Sequence, residues 1–519
     1  MKQKQQFWIA LTIMLSCLGI ALILYQTQLY PGVGGDSVHY VMGAENILSG
    51  KGYARLSGGG EVRPITGFPP LYSIVLAGVG LTKVDLFEGA RILNAALFGV
   101  SIFLTSKLLF AYTRSIMTSL IGGALVLTSL SLVNIYSMVM TEPLFIFLML
   151  LAILTLVRYL DTQKVAYLIL SGIMVSLSVM TRYVGLSLLG AGGLSILFFS
   201  RTHWKRRILD CILFAGLTVF PLYLWLQRNA SVEGTAVNRE LIYHPMSATL
   251  MRAFIAEVLS WFVPRILGLS RGLRNLLVII LTIPWMGFYY FQEIMRFFKQ
   301  KSVSRKDYWS LPWVLTLYAG IYLVILILNS TLLDAGTTMS APPRYLAPVF
   351  VAIVLIFVLA IHQLIEPENR GRLLRGVVLL LGIAVVAVHA KQVFDYIQDP
   401  FSAGGYFEYK VKRAEAVPAF EALDPEVPII SNNPEMVYVM SGRSAYMWPI
   451  QFDVYKLEDR VDFEDQLKAT REKLFEGGVL VVFGWPEGAE TLVDELLEAE
   501  RLAHFIDVSF WGYPEASRD

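Results

Sequence analysis

The chain has 519 residues, of which 55% are hydrophobic and only 16% charged. A soluble domain carries about 25% charged residues, so this chain has too few to clothe a water-exposed surface. Its formal net charge of +2 gives no footprint for a nucleic-acid partner, and its two cysteines, Cys17 and Cys211, both sit in apolar runs, which excludes a disulfide framework or a cysteine metal cluster.

Uncharged runs long enough to cross a hydrocarbon core, which takes about 20 residues as helix, recur along the first three quarters of the sequence. The first, 7–25, follows Lys2 and Lys4. It is long for a signal-peptide core and no small-residue cleavage site precedes Tyr30, so it reads as an uncleaved span with a cytoplasmic N-terminus. A polar, glycine-rich outer loop over 30–85 comes next, ending in a short apolar helix at 69–83 that suits the membrane interface. Further spans are predicted at 86–112, 115–136, 142–157, 165–180, 183–200 and 208–227. A second outer loop, 228–274, contains an amphipathic stretch at 247–269, with Leu250, Phe254, Val258 and Trp261 at helical spacing and Arg252, Glu257 and Arg265 elsewhere, as expected of a helix lying in the interface plane. Spans at 275–291, 309–329, 345–365 and 376–390 bring the total to about eleven. The compact loops holding Arg114, Arg158 with Lys164, Lys205 to Arg207, Lys299 to Lys306 and Arg370 to Arg375 fall on alternate connections, which places them in the cytoplasm. The two outer loops and the tail then lie on the extracytoplasmic side.

From residue 393 the composition changes. Charge rises and proline and glycine punctuate short elements. Strands are predicted at 427–431 and 479–483 and helices at 434–440, 463–475 and 489–503, so 393–519 reads as a small soluble α/β domain behind a mainly α membrane domain, 1–392.

Walker A, GxGxxG, HExxH and CxxC patterns are absent. What remains is a set of ionisable residues that the topology carries to one membrane face. Charge at membrane depth is costly and generally functional. Asp36 opens DSVHYVMGAENILSG; as a helix this puts Asp36 and Tyr40, with His39 beside them, on one face and leaves Val41, Ala44 and Leu48 for the bilayer. Asp36 is either a helix cap or a catalytic carboxylate. His39 is a contact for metal or phosphate, or structural. Arg63, Arg182 and Arg344 are candidate phosphate ligands, because a guanidinium stays charged and clamps oxyanions bidentately. Glu142 either starts a span or lines the pocket. Tyr40, Tyr72, Tyr183 and Tyr345 either form an aromatic belt or line the substrate pocket.

Five segments have a familiar order: Asp36 with Tyr40 soon after the first span; Pro69-Pro70-Leu71-Tyr72; Thr141-Glu142-Pro143-Leu144; Thr181-Arg182-Tyr183 between two short spans; and Pro343-Arg344-Tyr345-Leu346 with Pro348 before a late span. Over residues 1 to about 390 they resemble the membrane glycosyltransferases of the GT-C superfamily, in the style of bacterial members related to protein O-mannosyltransferases and the lipid A aminoarabinose transferase. The resemblance implies a protein of the bacterial inner (plasma) membrane that moves a sugar from a polyprenyl-phosphate carrier to an extracytoplasmic glycan, lipid or protein acceptor. Asp36 would be the general base of an inverting displacement. Two departures matter: Ser37 stands where many relatives carry Glu, and Phe68 where some carry a basic residue. The first leaves divalent-metal use open, and no other cofactor is implied; the second leaves the donor phosphate to Arg63, Arg182 or Arg344. The alternative from another class is a transporter or lipid flippase for a glycan precursor, against which stands the lack of an internal repeat.

Overall fold

The computed structural model describes residues 2–237, 241–262, 270–299, 309–333, 342–365, 372–453, 457–484, 492–493, 500–505 and 507–512. Helix α1 (Lys2–Gln26) is the first apolar run. The outer loop after it is folded. Helix α2 (Gly35–Leu48) leads to a two-stranded antiparallel ribbon, β1 (Ala54–Leu56) and β2 (Val62–Pro64), and then to α3 (Leu71–Gly80). The bundle continues through α4 (Leu86–Thr113), α5 (Ile116–Leu127), α6 (Leu130–Ser137), α7 (Glu142–Thr162), α8 (Val165–Thr181), α9 (Leu186–Phe199), α10 (Trp204–Glu233), α11 (Ala248–Ser260), α12 (Arg271–Lys299), α13 (Leu311–Leu332), α14 (Pro342–Ile365) and α15 (Arg372–Ile397).

A helix stands at each of the eleven expected spans. Among the described residues eight are long and apolar enough to cross a membrane, and α5 with α6, bent by 56°, add a ninth as one broken span. The remaining two, at 165–181 and 183–199, are apolar but short. Helix α15 continues to Ile397, so the membrane domain ends a turn beyond residue 392.

Cross-links fix which helix ends share a face. Arg91, near the start of α4, would be expected from its place at a span end to snorkel to the interface. Instead its Nε donates to Thr27 O at 2.8 Å and its Nη2 to Leu24 O at 3.3 Å. It thereby satisfies the free carbonyls that every helix C-terminus leaves, here that of α1. At the same face Gly32 N–H donates to Ser137 O, 2.9 Å, at the end of α6. At the far face Thr118 at the start of α5 meets His362 near the end of α14, 3.0 Å apart. The chain therefore weaves between two faces, and the first loop, the α8–α9 turn and the start of α14 share one of them.

Helix α11 lies within the predicted amphipathic stretch. Glu257 is buried, and its Oε1 accepts from Ser131 Oγ at 2.8 Å and from Trp261 Nε1 at 3.2 Å, while Trp261 packs edge-on against Phe350 of α14. The helix is tied into the bundle through Glu257 and Trp261, while Met251 and Ile255 stay exposed. Arg265 lies outside the described residues.

The C-terminal domain contains α16 (Tyr406–Lys412), α17 (Val417–Glu421), β3 (Ile429–Ser431), α18 (Pro434–Ser441), β4 (Tyr446–Met447), β5 (Phe452–Asp453), β6 (Glu458–Asp459), α19 (Phe463–Phe475), β7 (Val479–Phe483), β8 (Glu500–Phe505) and β9 (Val508–Gly512). A mixed five-stranded sheet has the order β4-β3-β7-β9-β8. The helix expected over 489–503 is corrected at its end, where β8 pairs with β9; most of the rest of that stretch lies outside the described residues. The domain is seated on the site-bearing face. Tyr406 N–H donates to Val33 O at 2.7 Å. Gly405, at φ +89°, approaches so closely that a Cβ there would lie 2.1 Å from Val33 O. Only glycine fits both demands.

Candidate active site

Asp36 is not the cap of α2. Gly34 holds the N-cap position, and its N–H donates to Ser37 Oγ at 3.0 Å. Ser37, the residue that departs from the Asp-Glu pattern, does the capping and frees the Asp36 carboxylate to face the bundle. There Arg344 Nη2 donates to Asp36 Oδ2 at 2.7 Å. Arg344 Nε donates to Glu142 Oε1 at 2.6 Å, and Arg182 Nη1 reaches the same oxygen at 2.6 Å. Arg182 Nη1 also donates to Thr141 Oγ1 at 2.8 Å. Four charges from α2, α7, the α8–α9 turn and α14 thus form one chain, Asp36–Arg344–Glu142–Arg182.

The environment is graded along that chain. The Glu142 side chain is fully buried, those of Arg182 and Arg344 are 15% and 17% exposed, and that of Asp36 is 33% exposed. Glu142 is therefore the hub that makes two guanidiniums tolerable at membrane depth, which goes beyond starting a helix. Asp36 is the end open to a ligand. Arg182 keeps one donor in reserve, since its Nε is buried with no hydrogen-bond partner among the described residues.

Tyrosines frame this chain with distinct roles. Tyr40 is buried one turn from Asp36, and burial, helped by the Asp36 charge, holds its phenol well above the usual range and hence protonated. Tyr72 is also fully buried, edge-on to Tyr40 with ring centroids 5.4 Å apart, so it supports Tyr40 from behind and is not part of a pocket wall. Tyr345 lies beside the Arg344 guanidinium, 5.7 Å from ring centroid to Cζ, and its carbonyl accepts from Tyr322 OH at 2.8 Å. Tyr183 accepts from Trp225 Nε1 at 2.8 Å. Tyr322 and Thr141 were not singled out in the sequence: a tyrosine inside an apolar run and a threonine before a helix carry no signal by themselves.

Two expected members stand apart. Arg63 lies on β2 in an exposed ion pair with Glu61, 3.1 Å, and does not join the buried chain. His39 turns away from Asp36 to Glu435 of α18, with Nε2 3.2 Å from Oε1. Val41 and Ala44, expected to face lipid, are fully buried, because α3 and the C-terminal domain cover α2. Among the described residues no group of three or more His, Cys, Asp or Glu is placed to hold a metal ion.

An apolar groove of about 220 Å³ runs beside this site. Phe254 and Val258 of α11, Leu323 and Leu326 of α13, and Leu346, two residues beyond Arg344, line it.

Residues 55–232 match the family model described as dolichyl-phosphate-mannose-protein mannosyltransferase. Among solved structures, ArnT from Cupriavidus metallidurans bound to undecaprenyl phosphate is similar with a TM-score of 0.62 at 14% identity, over 98% of this chain and 98% of that one. The apo state of the same ArnT also gives 0.62 at 14% identity, over 99% and 100%. The Archaeoglobus fulgidus oligosaccharyltransferase in the apo form gives 0.48 at 11% identity, over 92% and 70%. No curated protein sequence matches the chain.

Proposed function

We propose that this chain, an integral membrane protein with the fold of the GT-C glycosyltransferases, moves a sugar from a polyprenyl-phosphate carrier to an acceptor hydroxyl by inverting displacement. The observation that carries the reading is the chain Asp36–Arg344–Glu142–Arg182 at one face of the bundle. It sets an accessible carboxylate beside a pair of guanidiniums, and Leu346, two residues beyond Arg344, lines an apolar groove.

The chemistry divides between the two kinds of group. Asp36 accepts the proton of the acceptor hydroxyl as its oxygen attacks the anomeric carbon. The bond from that carbon to the phosphate oxygen breaks on the opposite side, and the electron pair leaves with the phosphate. A phosphate is a weak base, so cations serve its departure better than a proton donor does. Arg344 and Arg182 hold the charge that develops there, with Nε of Arg182 as a spare donor. A retaining path needs a second carboxylate free to act as nucleophile, and Glu142 is buried and bonded to both arginines. The sidedness that fits is the first loop and the C-terminal domain outside a bacterial plasma membrane, with the basic loops in the cytoplasm.

The test is to incubate the full-length protein in lipid nanodiscs with an undecaprenyl-phosphate-linked sugar and a membrane extract as acceptor. Release of undecaprenyl phosphate, with a product of inverted anomeric configuration by NMR, is expected. A flippase would move the intact donor across vesicles without releasing phosphate, and that outcome would replace this reading.

A further inference from the structure

Beside the catalytic face lies a second cleft, of about 390 Å³, between the β1–β2 ribbon and the C-terminal domain. His39 lies in its lining, three residues along α2 from Asp36, an axial rise of about 4.5 Å. Arg55 and Arg63 line it from the ribbon side.

These two arginines are directly opposite each other in the β1–β2 register. Cross-strand partners project from the same face of a ribbon, and like charges in that position destabilise it. The charge is only partly answered. Arg63 meets Glu61 in a pair exposed on both sides, the kind that contributes little. Arg55 makes no ion pair among the described residues; its charge acts on Glu435, which is already held by His39. Arg460, the third arginine of the lining, is occupied by Asp462 through two bonds of 2.9 and 3.0 Å.

The ribbon is also held over the cleft by construction. Its turn packs on Tyr446 of the C-terminal domain so tightly that a Cβ on Gly58 would lie 2.1 Å from the ring. Gly60 N–H donates to Ser444 Oγ at 3.2 Å. A mobile surface turn has no need of such a seat. Here it keeps Arg55 and Arg63 at a cavity whose lining includes His39, three residues along α2 from Asp36.

We propose that this cleft seats the acceptor through an oxyanion, a phosphate or carboxylate carried on a saccharide, gripped between Arg55 and Arg63. The proposal rests on the glycosyl-transfer reading, and it gives Arg63 to the acceptor rather than to the donor phosphate. Each guanidinium presents the N–H fork that matches a carboxylate or phosphate bidentately. His39 and Glu435 also line the cleft, so a saccharide bound there would lie against α2, the helix that carries Asp36.

Saturation-transfer NMR on the full-length protein in nanodiscs tests this, with glucose 6-phosphate, glucuronate and methyl glucoside as probes. At least one anionic sugar should bind, methyl glucoside should not, and the R55Q/R63Q double variant should weaken the anionic sugar by about tenfold or more. The R55K/R63K variant, which keeps both charges, should retain most of the binding. Equal binding of neutral and anionic sugars, or an unchanged affinity in R55Q/R63Q, would overturn the assignment. Undecaprenyl phosphate binding is read in parallel and should be the same in wild type and R55Q/R63Q. Its loss in the double variant would return Arg63 to the donor and sink the cleft proposal, whereas its absence in the wild type would strike the glycosyl-transfer reading and leave the anionic-sugar result standing.

Discussion

Arginine plays opposite parts in the two halves of this surface. In the bundle, Arg182 and Arg344 are nearly buried and share Glu142, so their positions are set by a carboxylate that water does not reach. On the ribbon, Arg55 and Arg63 face each other, with the one ion pair between them exposed to solvent. A buried charge that loses its partner is strongly penalised, while an exposed one is solvated at little cost. The first pair is therefore structure and chemistry at once, and the second is separable from the fold. Removing the buried counter-charge in the bundle should damage stability and turnover together, and substitutions on the ribbon should touch only binding.

The largest effect should come from Glu142→Gln. It leaves Arg182 without a counter-charge and Arg344 with Asp36 alone, and should cost about 3–5 kcal/mol of stability. Thermal unfolding in nanodiscs, alongside sugar transfer, measures it. A variant with wild-type melting and turnover would dissolve the distinction between the two regions. Next comes Arg344→Lys. A lysine keeps the charge but cannot span Asp36 and Glu142 at once, so transfer should fall by about two orders of magnitude with the fold retained. Smaller again is Val258→Trp, which fills the apolar groove. Undecaprenyl phosphate should bind about tenfold more weakly, near 1.4 kcal/mol, without a change at the acceptor cleft. A titration of the lipid against both proteins reads this directly.

The smallest effect concerns the seating of the C-terminal domain on α2. Burial pushes the Glu435 carboxyl up, but the hydrogen bond and charge of His39 bring it below its ordinary value of 4.5. A lowered carboxylate stabilises fully above the ordinary value and loses that contribution as pH falls through the lowered one. Protection factors of the α18 amides should therefore hold at neutral pH and decline below 4.5. His39→Ala should remove roughly 1 kcal/mol of the docking and flatten that decline.

Much of this was legible in the sequence because membranes make charge conspicuous. Asp36, Glu142, Arg182 and Arg344 each stand at the edge of an apolar run, and alternation of the basic loops carries them to one face. The pairing was not legible. Arg344 and Glu142 are 202 positions apart, and nothing local states that one carboxylate serves two arginines. Arg63 resembled the others only as a residue type, since its surroundings are loop and not membrane. Val41 and Ala44 looked lipid-facing because apolar residues face lipid and protein alike, and α3 with the C-terminal domain decides between them. The stretch AETLVDELLEAERLA favours helix by composition, yet at its end Glu500–Phe505 pairs with β9, since tertiary pairing outweighs local propensity. The capping role of Ser37 was hidden because the motif draws attention to the acid beside it.

The sharpest test is Asp36→Asn, measured for sugar transfer and for undecaprenyl phosphate binding in the same preparation. With Asp36 as the proton acceptor, transfer should drop by about two to four orders of magnitude while the lipid still binds. Transfer at the wild-type rate in that variant would contradict the account.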